Sequence, residues 1–400
     1  MADKLTTFFE DFLEKNSLFT NKKALQSSFI PDEIRHRDEQ INAVANILAP
    51  GLRLERPSNL FLYGKTGTGK TLVVRHTAKN MMEVAEERGI PLKIFYLNCK
   101  LKKIADTEYR LIAELARYLG KAIPPTGLPT DEVYNIFFQA LDKEQQVVIF
   151  ILDEIDQLVK KAGDEIIYNL TRINSELKHA QVGIIGISND LIFSNNLDPR
   201  VKSSLSEEEL VFPPYNALQL QNILQRRCNL AFERGLLEEG VIAKCAAYAA
   251  REHGDARRAL ELIRVAGELA ERAGDQKVTI THLDAAEEKI ERDRFLDVVE
   301  HQPKQFQAVL YAIIATSKDR ASYSTGEIYN NYKELCIKIG LRPLTQRRVS
   351  DIIAELDMLG LINAKVISKG RFGRTKEIML SLPTSLIPKI TNLLREGLSL

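Results

Sequence analysis

Residues 64–71, Gly-Lys-Thr-Gly-Thr-Gly-Lys-Thr, directly follow the apolar run Leu60-Phe61-Leu62-Tyr63 and precede Leu72-Val73-Val74. A strand that feeds a glycine-rich loop ending in Lys-Thr, with a helix after it, is a phosphate-binding loop. Gly64, Gly67 and Gly69 let the backbone amides of Lys65, Thr66 and Thr68 curl around a phosphate without Cβ clashes, and the helix start adds partial positive charge. Lys70 is placed for the β and γ oxygens, the Thr71 hydroxyl for Mg²⁺, and Leu72 for the first turn behind them. The bland alternative is a flexible glycine loop. The context favours a nucleoside triphosphate site.

A second acidic signature follows. Val147 to Leu152 is an unbroken β-branched and aromatic run, as expected for a strand buried on both faces of a parallel sheet, and it ends in Asp153-Glu154. Asp153 at the carboxyl end of that strand can hold the Mg²⁺ water shell opposite Thr71, and Glu154 can orient or deprotonate an attacking water. Another strand is expected over Lys93–Asn98, and a further one over Val182–Ser188, which ends in Asn189-Asp190. Asn189 can bond the lytic water or the γ-phosphate, or simply cap the next turn. Glu209–Phe212 reads as a last strand, closed by Pro213-Pro214-Tyr215. Alternating strands and helices make a doubly wound α/β domain with its ligand at the carboxyl ends of the strands.

Residues 216–298 change to helical spacing, over 216–234, 239–252, 256–273 and 281–295, with breaks at Gly235, Gly254 and Gly274. Within this all-helical lid, Gly254-Asp255 starts a helix whose first turn carries Arg257 and Arg258. After Pro303, helices are expected over 306–315, 325–338 and 345–356, then two strands over 361–368 and 376–382. Three helices and a hairpin make a winged helix. In its third helix Val349, Ile352, Ile353 and Leu356 form the buried stripe, leaving Gln346, Arg347, Arg348 and Ser350 in the half that enters a major groove. At the hairpin tip Lys365, Lys369, Arg371, Arg374 and Lys376 occur without an acid between them, beside Phe372 and two glycines. Such a tip suits phosphates and a minor groove, although a basic hairpin can also be a solvated turn.

The bulk numbers are quieter. The 400 residues suggest two to three domains, and a formal net charge of +1 with 27% charged residues means that any nucleic-acid site is a local patch. The four cysteines are far apart, which argues against a disulfide framework or zinc site. The lack of a long apolar run and the acids Asp3, Glu10 and Asp11 near the start argue for a cytosolic or nuclear protein with no membrane partner.

The order of phosphate loop, Asp-Glu, strand-end Asn, Asp-Pro-Arg and Gly-Asp-x-Arg lid resembles an AAA+ ATPase. More narrowly, Ile34-Arg35-His36-Arg37-Asp38-Glu39-Gln40, Leu197-Asp198-Pro199-Arg200-Val201-Lys202-Ser203-Ser204-Leu205, Phe212-Pro213-Pro214-Tyr215 and Gly254-Asp255-Ala256-Arg257-Arg258-Ala259-Leu260 resemble the archaeal replication initiators related to the origin recognition complex. The resemblance implies an N-terminal arm (1–18), a nucleotide-binding base (19–213) with an initiator-specific insertion near 101–138 that presses on DNA, a lid (214–300) and a winged helix (301–400). It implies that Ile34 and Arg37 border the adenine, that Tyr215 and Arg227 line the cleft, and that Asn189 is the first sensor. Arg257 becomes the lid sensor for the γ-phosphate and Arg200 the match to an arginine finger. The cofactors it implies are ATP or ADP with Mg²⁺. Its implied partners are double-stranded origin DNA, a replicative helicase and paralogous initiators at the same origin, in a chromosome-associated cytoplasmic setting.

Three functions compete for these parts: an ATP-switched initiator on duplex DNA, a remodelling motor or clamp loader, and a signalling ATPase whose winged helix is a regulatory or protein-docking clamp. The absence of a Ser-Arg-Cys triplet (the nearest match is Ser203-Ser204-Leu205) weakens the second. The acid-free wing tip weakens the third, because a packing surface is apolar. The initiator with slow ATP hydrolysis is the expectation.

Overall fold

The structure is a computed structural model, described here for residues 17–100, 107–124, 126–193, 197–205, 207–317, 322–368, 374–383 and 386–400, with the side chains of 366–368 and 374–375 left aside. The chain divides into two compact units, residues 1–283 and 284–400.

In the first unit, α1 (Asp38–Leu48) begins with two acids in its first turn, which complements the helix dipole. Then follow β1 (Leu60–Tyr63), α2 (Lys70–Glu87), β2 (Leu92–Asn98), α3 (Glu108–Tyr118), α4 (Thr130–Leu141), β3 (Gln146–Asp153), α5 (Ile155–Ala162), α6 (Glu165–Arg172), β4 (Ala180–Ser188), α7 (Pro199–Leu205) and β5 (Glu208–Val211). The strands pair in parallel in the order β2-β3-β4-β1-β5. Every residue of β3 is buried. Its alternate side chains enter two separate cores: Val148, Phe150 and Leu152 on one face, Val147, Ile149 and Ile151 on the other. That two-sided burial is why the run shows no polar alternation.

The insertion helices α3 and α4 supply Leu111, Ile112, Leu115, Val133 and Phe137 to the first core, so they cover one face of the sheet. Residues 101–106 of the expected insertion lie outside the described residues. The lid packs as α8 (Ala217–Ala231), α9 (Val241–Arg251) and α10 (Ala256–Ala273). Local chemistry sets its boundaries: Asn216 and Gln219 form a reciprocal capping box on α8, and Gly274 at φ 78 ends α10 in the left-handed region. The unit boundary falls within α11 (Ile280–Glu300).

The second unit contains α12 (Lys304–Thr316), the short strand β6 (Tyr323–Ser324), α13 (Thr325–Lys338), α14 (Gln346–Met358), β7 (Ile362–Ser368), β8 (Arg374–Leu380) and α15 (Ile387–Leu398). Its sheet runs β6-β8-β7, all antiparallel, the arrangement of a winged helix with a third strand added to the hairpin. Ser324 and Glu327 form a capping box at α13. Val349, Ile352, Ile353 and Leu356 of α14 are buried in one core with Ile390 and Leu394 of α15, a helix that the sequence pattern does not announce. Among the described residues no helix is long and apolar enough to cross a membrane, and all four cysteines are free and buried.

Candidate nucleotide site and candidate DNA-contacting elements

The strand order puts the carboxyl ends of β3, β4 and β1 side by side, the position at which open α/β sheets hold ligands. Asp153 ends β3, Asn189 follows β4, and the loop 64–69 follows β1. The loop is closed from within. Thr68 Oγ1 donates to the Lys65 carbonyl at 2.9 Å, and Gly69 at φ 94 turns the chain into α2. That φ suits glycine. Gly64 lies so near the Phe212 carbonyl that a Cβ would collide with it.

Lys70 is buried, and its Nζ donates to the Gly64 and Lys65 carbonyls at 2.7 and 2.8 Å and to Asn189 Oδ1 at 2.8 Å. All three acceptors are neutral. Burial therefore lowers the lysine to about 8, only partly opposed by Asp153. Thr71 Oγ1 donates to Asp153 Oδ2 at 2.8 Å. Asp153 Oδ1 accepts the Glu154 backbone N–H at 2.9 Å. Glu154 itself has φ 57, an uncommon conformation for a residue with a side chain, and sits 3.8 Å from Lys100 Nζ. A hydroxyl and a carboxylate side by side are hard oxygen donors, a set that fits a divalent cation such as Mg²⁺ or Ca²⁺ rather than a soft metal.

Lys70, Thr71, Asp153, Glu154 and Asn189 line one cavity of about 590 Å³. Gly67, Gly69, Leu72, Ile34, Tyr215, Arg227 and Arg257 line it too. The lid meets the loop directly. Asp255 caps α10 by accepting from the Arg257 and Arg258 backbone N–H groups, and its carboxylate lies where a Cβ on Gly67 would be. Arg257 thus projects from the first turn of a helix pinned to the phosphate loop.

Arg227 is buried, stacks 4.6 Å from the Phe29 ring centroid and donates to the Gln26 and Phe29 carbonyls. Its Nε finds no hydrogen-bond partner among the described residues, and burial lowers the guanidinium to about 10.

Several expected residues are placed elsewhere. Gly64, Lys65, Thr66 and Thr68 belong to the loop but do not line the cavity. Lys65 Nζ instead lies 3.3 Å from His253 Nδ1 of the lid. Arg37 does not line the cavity. It is buried beneath the loop, donating to the Thr68, His36 and Pro213 carbonyls, with its guanidinium 3.9 Å from the Tyr215 ring centroid. Three carbonyls and an aromatic face satisfy it there, and burial lowers its pKa. Arg200 also lies outside the cavity. Its side chain is 75% exposed and folds back on Asp198 with Nε and Nη2 each 3.2 Å from a carboxylate oxygen.

Other lining residues are absent from the sequence-based set: the strap Ser27–Pro31, Arg75, Tyr96, Asn98 and the lid residues Ile223 and Leu230. A usable signal exists for Tyr96, Asn98 and Arg75. Tyr96 and Asn98 alternate along the end of β2, the neighbour of β3, with Asn98 in register with Asp153. Arg75 is one helical turn beyond Thr71.

In the second unit, Thr345 caps α14 by accepting the Arg348 N–H at 3.4 Å. Gln346, Arg347 and Arg348 are exposed on its first turn, and Ser350 donates to the Gln346 carbonyl at 3.0 Å. Arg348 is 3.7 Å from Asp351, a solvated pair of little strength. Lys376 lies in β8 in register with Val366, and Arg374 opens the same strand. Lys369, Arg371 and Phe372 lie outside the described residues.

Comparison with known proteins agrees with both units. Residues 60–214 match the ATPase family associated with various cellular activities, 221–288 the Cdc6 AAA+ ATPase-type lid domain, and 297–389 the CDC6 C-terminal winged helix domain. An ORC1-type DNA replication protein of Pyrococcus furiosus is 53% identical, over 99% of this chain and 94% of that one. ORC1-type DNA replication protein 1 of Methanosarcina mazei is 51% identical, over 97% and 94%. The Aeropyrum pernix ORC1 protein, solved in complex with DNA, superposes with a TM-score of 0.83 at 44% identity, covering 96% of this chain and 98% of its own. The AAA+ domain makes this a nucleotide-binding protein, and the chain belongs to the family of ORC1-type DNA replication proteins.

Proposed function

We propose that this chain is an ATP-switched replication initiator that binds duplex origin DNA and helps recruit or load the replicative helicase. The observation that carries the reading is that one cavity gathers the loop lysine, the strand-end Asp153 and Asn189, and the lid's Arg257. The first three would report on phosphate from the base, and the fourth from the lid. The DNA part draws on the exposed first turn of α14 and on the 44% identical relative that is bound to DNA.

Lys70 is held by neutral acceptors, so a triphosphate is the stronger partner for its charge. Asn189, released from Lys70, can then bond the γ-phosphate or the attacking water. Mg²⁺ held by Thr71 and Asp153 would neutralise charge across the β and γ phosphates. Glu154 would orient the water. Arg257 would close on the γ-phosphate and so tie the lid's position to the nucleotide state. Arg200, outside the cavity of its own chain and folded on Asp198, matches an arginine finger by sequence resemblance alone. Ile34 and the strap would hold the adenine. We place hydrolysis as slow, the chain in the cytoplasm on the chromosome, and paralogous initiators at the same origin.

The test is a titration of a labelled duplex carrying the host's replication origin, and of a scrambled duplex, with the ATP-loaded and ADP-loaded chain. The reading expects duplex binding, tighter on the origin. Absence of duplex binding at low salt would make the winged helix a protein-docking module.

A further inference from the structure

Around Asp153 the structure brings together more donors than a nucleotide loop needs. Its Oδ2 accepts the Thr71 hydroxyl at 2.8 Å and the Tyr96 hydroxyl at 2.7 Å, while Oδ1 accepts the Glu154 backbone N–H at 2.9 Å. Tyr96 reaches this place because β2 pairs in parallel with β3 and puts its polar end beside the end of β3. Its ring is held in turn. The Arg75 guanidinium, one turn past Thr71 on α2, lies 5.2 Å from the ring centroid. Tyr118 meets only the backbone at this position, donating to the Tyr96 main-chain oxygen at 3.3 Å.

We propose that Tyr96 is a positioning residue for the metal-side carboxylate: its hydroxyl, together with that of Thr71, fixes Asp153 in the orientation that a bound divalent cation requires. The proposal rests on the metal-dependent nucleotide reading above. A carboxylate with one donor can rotate about its Cβ–Cγ bond, whereas donors on both oxygens from three directions leave one orientation. Groups that orient a metal's ligands change metal affinity by about 10–100-fold. Arg75 keeps the ring in place without touching Asp153's lone pairs.

The test uses the full chain and a fluorescent ATP analogue, with binding followed by anisotropy from EDTA through a Mg²⁺ series. Tyr96→Phe removes the hydroxyl and leaves the ring under Arg75. Its affinity in EDTA should stay within about twofold of the wild type, while the Mg²⁺ concentration giving half of the metal-dependent gain rises about tenfold. Tyr118→Phe, which removes only the hydroxyl on the Tyr96 backbone, should match the wild type. Equal Mg²⁺ dependence in Tyr96→Phe and wild type would overturn the proposal. So would an equal loss in EDTA and in Mg²⁺, because that marks a packing role. Wild-type binding that ignores Mg²⁺ would overturn the metal reading itself, and the proposal with it.

Discussion

The cleft of the first unit and the recognition helix of the second both present positive charge, and they do so in opposite ways. Lys70 and Arg227 are each at most 6% exposed, and their hydrogen-bond acceptors are carbonyls and an amide, with no carboxylate among them. Arg347 and Arg348 stand in solvent, and Arg348 has an acid within 4 Å. Burial makes the first set costly to keep charged and strongly selective for an anion of matching shape. Solvation makes the second set cheap, tolerant of partner geometry and sensitive to salt. One kind of charge suits a switch that must distinguish phosphates, the other a grip on a long polyanion.

The sharpest way to break this contrast is Lys70→Ala. If this desolvated cation meets the phosphates as proposed, its removal should weaken ATP binding by about a hundredfold, roughly 3 kcal/mol, with little dependence on salt. Calorimetric titration at two salt concentrations checks it. An effect that disappears at high salt would put Lys70 in the solvated class.

Acidity offers a second separation. Lys70 sits at about 8 in the free protein, against an ordinary 10.5. A bound phosphate keeps it charged, so binding takes up a proton above pH 8. ATP affinity should then fall about tenfold between pH 7 and pH 9. The stability of the free protein has the opposite sign. A lysine lowered by folding destabilises while it is charged, so that cost is present below pH 8 and is relieved as pH rises towards 10.5. DNA affinity, carried by arginines, should stay flat over the same range. Parallel pH profiles for the two ligands would contradict the contrast.

The smaller effect belongs to the helix. Arg347→Ala/Arg348→Ala should cost a few fold in duplex affinity at moderate salt and leave ATP affinity unchanged, as anisotropy and calorimetry on one preparation would read. A matching fall in ATP binding would merge the two sites.

Much of this was legible in the sequence, for physical reasons. The loop and the Asp-Glu pair are short because their chemistry is local: one strand end presents each of them. The winged helix was legible through Val349, Ile352, Ile353 and Leu356, whose spacing reports a buried stripe whatever lies beneath it. What covers that stripe was not, and α15 came only with the fold. Resemblance alone sets Arg37 beside the adenine; its side chain donates to the carbonyls of residues 36, 68 and 213, and the last two are too distant in sequence for a local pattern to reveal. Tyr96 sits in a strand whose aromatic character suggests core, and only the pairing of β2 with β3 brings its hydroxyl to Asp153. The strap Ser27–Pro31 carries no motif, since it lines the cavity by position rather than by chemistry.

The central claim is that this chain grips duplex DNA with solvated charge while its buried charge reads a nucleotide. The most direct measurement is fluorescence anisotropy of a labelled duplex titrated with wild type and with Arg371→Ala/Arg374→Ala across a salt series. The account predicts that the wild type binds, and that the double variant binds more weakly with a log–log salt slope reduced by about 2, because two DNA phosphates are no longer neutralised. An unchanged slope and affinity would contradict it.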